Sequence, residues 1–264
     1  MSKIINPIKG RIKFPSPQGL FLTLFVWGIP HWPFLPFYII LEKILGKKLV
    51  FKINYLVRLY AWLMGNIVVW VDHRSRFRFI PFDKNNSLER DNYIYLEKSR
   101  KEGKPFVIVS NHLSAMDIIY FNMTHPWAAQ VSKYSIKKNP FFGWQGIMHG
   151  NIFLKKGGSS EVLKQRLEDG GSLIIYPEGT RRKEDGLPES FRTGAFVAAL
   201  DSGADVLVVA LSDMPNNKGK RIIKVKEVGI LKSTDYNDPK VMSNAALEII
   251  KNYLNTEIRK EDYV

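Results

Sequence analysis

Cysteine is absent from this 264-residue chain. That excludes disulfide cross-links, Cys-ligated zinc or iron–sulfur centres, and a thiol nucleophile. Acids are scarce where the chain is most apolar: residues 1–75 hold only Glu42 and Asp72, against ten Lys and Arg. No Gly-x-Ser-x-Gly elbow of the serine hydrolases occurs, and no internal repeat or low-complexity tract is visible. These absences leave room for an enzyme, but not for one that works through a covalent Cys or an elbow serine.

What is present begins with charge. Apolar residues make up 45% and charged residues 24% of the chain, a folded rather than disordered composition. Thirty-nine Lys and Arg against twenty-five Asp and Glu leave a formal +14 at pH 7. A surface this basic favours nucleic acid, anionic lipid headgroups or phosphorylated substrates. Residues 1–75 carry +8 of that charge and are also the greasiest part of the protein. A nucleic-acid arm would be basic and polar, and no recognition motif for nucleic acid appears. A basic, apolar segment suits a membrane surface with anionic lipids.

Gly19 to Leu41 runs for 23 residues without Asp, Glu, Lys or Arg. A straight helix of that length would reach about 35 Å, enough to span a bilayer core. Pro30, Pro33 and Pro36 interrupt it. A second apolar stretch, Asn54 to Val71, contains Arg58 and Gly65. We expect two broken or tilted helices lying partly in one leaflet, with Trp27, Trp32, Tyr38, Tyr60, Trp62 and Trp70 at the interface. A full transmembrane hairpin and an ordinary buried helical pair are the alternatives. The basic start and apolar segment lack a small-x-small cleavage site, so an uncleaved anchor on the cytoplasmic face is expected.

From Arg76 the texture changes. Short apolar runs (Phe106–Ser110, Ser172–Tyr176, Asp205–Ala210, Arg221–Val228) alternate with helical stretches (Ser160–Glu168, Gly194–Ser202). A closing amphipathic helix is expected over Met242–Arg259. Such alternation predicts an α/β fold, with a largely parallel sheet flanked by helices. The expected division is an anchoring segment, 1–75, and an α/β domain, 76–264.

Two polar turns follow apolar strands. In Phe106–Asp117 (FVIVSNHLSAMD), Ser114 and Asp117 have the spacing of a capping box before an apolar run. His112 then lies on the turn, where its ring can fold back onto the Asp117 carboxylate. A His held by an Asp is the arrangement a general base needs. A capping carboxylate beside a turn histidine is the plainer reading of the same residues. His31, His73, His125 and His149 have no acid arranged this way and read as structural or surface residues. In the second turn, Ser172–Arg181 (SLIIYPEGTR), a strand stops at Pro177 and releases Glu178, Gly179, Thr180 and Arg181. Ligands bind at that edge of parallel sheets. Gly179 permits close backbone approach, and Arg181 offers a fork suited to phosphate. A solvated polar turn is again the plainer alternative.

Together these segments resemble the glycerolipid acyltransferases typified by 1-acyl-sn-glycerol-3-phosphate acyltransferase. Asn111–Asp117 looks like the NHxSxxD motif, and Tyr176–Arg181 followed by Phe191–Gly194 (FRTG) looks like the PEGTR block. Lys133–Trp144 is similar to the K-x-E-L…P-F-x-G stretch between them. The likeness runs from about residue 104 to 213. It implies a glycerol-3-phosphate acyltransferase-like fold in which His112 is general base towards a lysolipid hydroxyl and Asp117 orients it. It further implies that Glu178, Gly179, Thr180 and Arg181 shape and bind the acceptor, while Lys133 contacts its phosphate. Acyl-CoA or acyl-carrier protein would be the co-substrate, with no metal, no cofactor and no acyl-enzyme. Two departures are visible. Phe153–Lys156 (FLKK) carries Lys156 where the family commonly has Arg, which keeps the charge and loses bidentate geometry. The Val206–Ala210 strand lacks the prolines usual in a fourth motif. The expected acceptor is lysophosphatidate. Another lysophospholipid, a lyso-ornithine lipid, or a non-catalytic basic membrane-binding protein are the other readings.

Overall fold

The computed structural model describes residues 33, 36–41, 43–44, 57, 59–60, 63, 75–113, 117–139, 142–155, 157, 160–179, 187–215 and 221–261. Most of the expected anchoring segment therefore lies outside the described residues, as do Ser114, Lys156, Thr180 and Arg181.

Seven strands form one sheet: β1 (Ser75–Ile80), β2 (Phe106–Ser110), β3 (Ala128–Lys133), β4 (Ile152–Leu154), β5 (Ser172–Ile175), β6 (Asp205–Pro215) and β7 (Arg221–Leu231). Their spatial order is β1-β7-β6-β2-β5-β3-β4. Five of the six pairings are parallel, and only β6 with β7 is antiparallel. The largely parallel sheet expected from the sequence is thus present. Within described residues 75–261 the α-helices are α1 (Arg90–Lys101), α2 (Asp117–Thr124), α3 (Tyr134–Lys137), α4 (Gly143–Met148), α5 (Ser160–Glu168), α6 (Gly194–Ser202) and α7 (Pro239–Glu261).

The apolar run of β2 follows from its position. Phe106, Val107, Ile108 and Val109 are all fully buried because both faces of a central parallel strand are covered. Val107 and Val109 join Leu173, Val206 and Val208 in one core, roofed by Leu163 and Leu167 of α5, Phe196 of α6, and Met242, Ala246 and Ile250 of α7. Phe106 and Ile108 point the other way, with Ile174, Leu207 and Val209, into a second core containing Leu96 of α1 and Phe121 of α2. Alternation with period two thus fills two cores from one strand. Leu163 and Leu167, four apart, give α5 a single buried stripe. Helix α6 ends at Gly203, whose φ of 69° is the left-handed cap that a Cβ would disfavour.

The described N-terminal residues include one buried against the domain. Tyr38 is buried against Met148 of α4, with Val57, Trp144 and Ile147 packed around them. Residues 36–41 are helical. Phe37 (64% exposed), Ile40, Ile44 (72%), Leu59 and Leu63 present apolar side chains outward. Among the described residues, no helix is long and apolar enough to cross a membrane.

Candidate active site

Strands β2 and β5 are neighbours, in register Val107↔Leu173, Ile108↔Ile174 and Val109↔Ile175. Counting on from the last pair brings His112 level with Glu178, both just past the carboxyl ends of their strands. Two turns that are remote in sequence therefore meet because the strands beneath them are parallel.

Asn111 sets the geometry of the first turn. Its side-chain amide donates to the Leu211 carbonyl at 2.8 Å, and its side-chain carbonyl accepts from the Leu211 N–H at 2.8 Å. The buried Asn111 thereby extends the β2–β6 ladder by one rung after β2 has ended. The sequence reading attached no role to it. Its signal was its place directly after the β2 strand.

The turn then offers His112. Its backbone N–H donates to Glu178 Oε1 at 2.8 Å, tying the β2 turn to the β5 turn. Its Nδ1 lies 2.7 Å from Asp117 Oδ2. The same Oδ2 accepts the Leu113 N–H at 2.7 Å. Asp117 is the first residue of α2, where the helix dipole favours a carboxylate, and only 1% of its side chain is exposed. Two donors on one oxygen compensate for taking that charge out of water. An ionised carboxylate only accepts, so Nδ1 carries the proton and Nε2 is the basic nitrogen. The His112 side chain remains 17% exposed. The pair expected five residues apart therefore exists, with His112 on the turn and Asp117 opening the helix.

Tyr176 covers one face of the imidazole, stacked at 4.4 Å between ring centres and tilted by 21°. Burial, together with the charge of Asp117, pushes its phenol well above the usual tyrosine range. It therefore stays neutral at physiological pH.

Gly179 follows Glu178 with φ of 69°. A Cβ there would come within 2.7 Å of the Arg192 guanidinium carbon. Arg192 of the FRTG segment thus packs closely over Gly179. The Arg192 N–H also donates to the Pro177 carbonyl at 3.0 Å, locking the two halves of the block together. Arg192 was not among the site residues expected from the sequence.

Lys133 ends β3, two strands from β2, with its side chain exposed. Beside it Lys137 and Lys155 sit 5.8 and 5.4 Å from the ring centre of Tyr134. The carboxyl end of β3 is therefore basic, two strands from the His112 turn. Thr180, Arg181 and Lys156 lie outside the described residues.

His125 has no acid at that local spacing, yet it faces one from a distant strand: its Nε2 is 3.3 Å from Glu227 Oε1, without hydrogen-bond alignment. The partner comes from β7, so no local spacing could have shown it. His125 is 1% exposed, its Nδ1 meets Thr124 Oγ1 at 2.7 Å, and Phe79, Phe121 and Trp127 crowd its ring. Its structural role, as expected, stands.

A basic Nε2 backed by a buried carboxylate can take a proton from a hydroxyl and return it to a leaving group.

Comparison with known proteins narrows the setting. Residues 92–212 match the family model described as Acyltransferase. A 1-acyl-sn-glycerol-3-phosphate acyltransferase of Haemophilus influenzae is 31% identical over 129 residues, covering 46% of this chain and 53% of the relative. A lyso-ornithine lipid O-acyltransferase of Pseudomonas aeruginosa is 32% identical over 114 residues, covering 41% and 43%. The chain thus spans about half the length of the curated relatives it matches. The crystal structure of a 1-acyl-sn-glycerophosphate acyltransferase from Thermotoga maritima superposes with a TM-score of 0.60 at 17% identity, covering 90% of this chain and 95% of that one. That likeness is one of fold.

Proposed function

We propose, from the match of residues 92–212 to the Acyltransferase family model, that this chain moves an acyl group from a thioester donor to the sn-2 hydroxyl of 1-acyl-glycerol-3-phosphate, giving phosphatidate. The observation that carries the reading is the His112–Asp117 pair, 2.7 Å apart and backed by Glu178. Nε2 of His112 removes the hydroxyl proton as the oxygen attacks the thioester carbonyl. A C–O bond forms, the C–S bond breaks, and the proton passes from the imidazolium to the departing thiolate. Asp117 holds the tautomer and stabilises the imidazolium between those events.

The acceptor's phosphate meets cations at the same sheet edge. Lys133 is the described residue assigned to it; Arg181 and Lys156, outside the described residues, are the further cations assigned to the phosphate, and Glu178, Gly179 and Thr180 are assigned to shaping the acceptor site. Acyl-CoA or acyl-carrier protein supplies the acyl group, and no further cofactor takes part. Anionic lipid holds the protein at the cytoplasmic face through the +8 of residues 1–75 and outward-facing Phe37, Ile40 and Ile44. Vesicles containing anionic lipid should pellet the full chain and retain it at high salt. Release by salt alone would contradict the apolar part of that attachment.

A lyso-ornithine lipid is the second acceptor to test, because one relative of similar identity carries that name. Purified protein is given labelled acyl-CoA, or labelled acyl-carrier protein, with a panel of lysolipids. Turnover of lysophosphatidate above the others is expected. Preference for lyso-ornithine lipid would transfer the same chemistry to that acceptor. Silence on every acceptor with both donors would favour a non-catalytic membrane-binding protein.

A further inference from the structure

A single hydrogen bond at Nδ1 fixes the tautomer of His112 but leaves its ring free to rock about that contact. The backbone tie to Glu178 holds the main chain and leaves the ring plane equally free. The plane is what aims Nε2, and misplacing a catalytic group by about 1 Å can cost about 10²-fold in rate.

Among the described residues, one ring stacks on the plane. Tyr176 lies almost parallel to the imidazole, 4.4 Å centre to centre. Its own ring is braced edge-on by Phe121, 5.7 Å away and at 83°. Phe121 is fully buried in the second core. The chain of contact therefore runs from a rigid core, through two aromatic rings, to the face of His112. The Tyr176 hydroxyl contributes no comparable constraint. It is buried and has no hydrogen-bond partner among the described residues. The ring, not the oxygen, is the part the site uses.

We propose that Tyr176 is a positioning residue: its ring, braced by Phe121, sets the plane of the His112 imidazole so that Nε2 faces the acceptor hydroxyl. The catalytic consequence rests on the acyl-transfer reading above. The stacking itself does not, so it is tested by a separate readout.

In the full-length protein in micelles, the carbon-bound ring protons of His112, identified by their loss in His112→Gln, should be shifted upfield by the Tyr176 ring current. Their 15N signals should show one tautomer. Tyr176→Phe should keep both signatures, keep kcat within twofold, and be at least as stable as the parent. Tyr176→Leu and Tyr176→Met should lose the upfield shift and lower kcat about 10- to 100-fold, with KM within twofold. Absence of the ring-current shift in the unaltered protein would overturn the proposal whatever the activity. So would Tyr176→Phe falling as far as the leucine variant, or a folded leucine or methionine variant with full kcat. An unaltered protein that shows the shift but turns over no acceptor would contradict the acyl-transfer reading and leave the stacking standing.

Discussion

His112 and His125 both face a carboxylate, thirteen positions apart in the chain and on opposite ends of helix α2. At the front of that helix, the partner is local: Asp117 reaches Nδ1 at 2.7 Å, and Nε2 is left for chemistry. At its far end, Glu227 arrives from β7 at 3.3 Å, and Thr124 takes the other nitrogen. The first ring keeps 17% of its side chain open, while the second is enclosed by three aromatic rings. A proton can be exchanged with a substrate only at the first. The difference teaches that a His–carboxylate contact is not by itself a catalytic pair. The free nitrogen and access to it decide.

Substitutions should separate the two pairs. Asp117→Asn removes the charge that holds the tautomer and is expected to lower kcat about 10²- to 10⁴-fold. Steady-state kinetics on the folded variant checks it. Glu178→Gln keeps an acceptor for the His112 N–H but weakens it. A loss of about 10-fold or more in kcat/KM is expected, smaller than that of Asp117→Asn. Gly179→Ala meets both the φ of 69° and the Arg192 guanidinium, so a fall of about 1–3 kcal/mol in unfolding free energy is expected. At the other pair, Glu227→Gln should act on stability alone. It weakens the bond from the Phe82 N–H at 3.0 Å and the contact with His125, at about 1–3 kcal/mol, with kcat within a few-fold of the parent. A large loss of kcat in a stable Glu227→Gln protein would erase the distinction between the pairs.

The smallest expected effect is a pH effect far from both. Tyr95 donates to Asp205 at 2.5 Å, and burial together with that carboxylate pushes its phenol up to about 12 from 10.0. A raised pKa means the folded chain holds the proton to higher pH. Its stabilising share is therefore whole below pH 10 and is lost as the pH climbs towards about 12. Tyr95→Phe should flatten that descent in unfolding free energy between those values, with little change at neutral pH.

Local pattern carried much of this architecture. The bounds Phe106–Ser110, Ser160–Glu168 and Gly194–Ser202 agree with the elements observed, because each is a continuous run whose burial period is written in its own residues. The His112–Asp117 contact was legible for the same reason, since both partners sit on one turn. What escaped is what the sheet brings together. Asn111 bonding Leu211, Glu178 bonding the His112 N–H, and Glu227 facing His125 span 100, 66 and 102 positions respectively, and depend on strand order. The antiparallel β6–β7 pairing joins consecutive strands, and the Asn and Gly of residues 216–220 (NNKGK) are a hairpin signal that went unread.

The central claim is that His112 is the base. It is tested most directly by measuring acyl transfer from labelled acyl-CoA or acyl-carrier protein to lysophosphatidate with purified His112→Ala and parent protein side by side, each shown to be folded and vesicle-bound. The account predicts that the variant binds vesicles as the parent does and loses turnover by about 10³-fold or more. Turnover undiminished in a folded, vesicle-bound His112→Ala protein would contradict it.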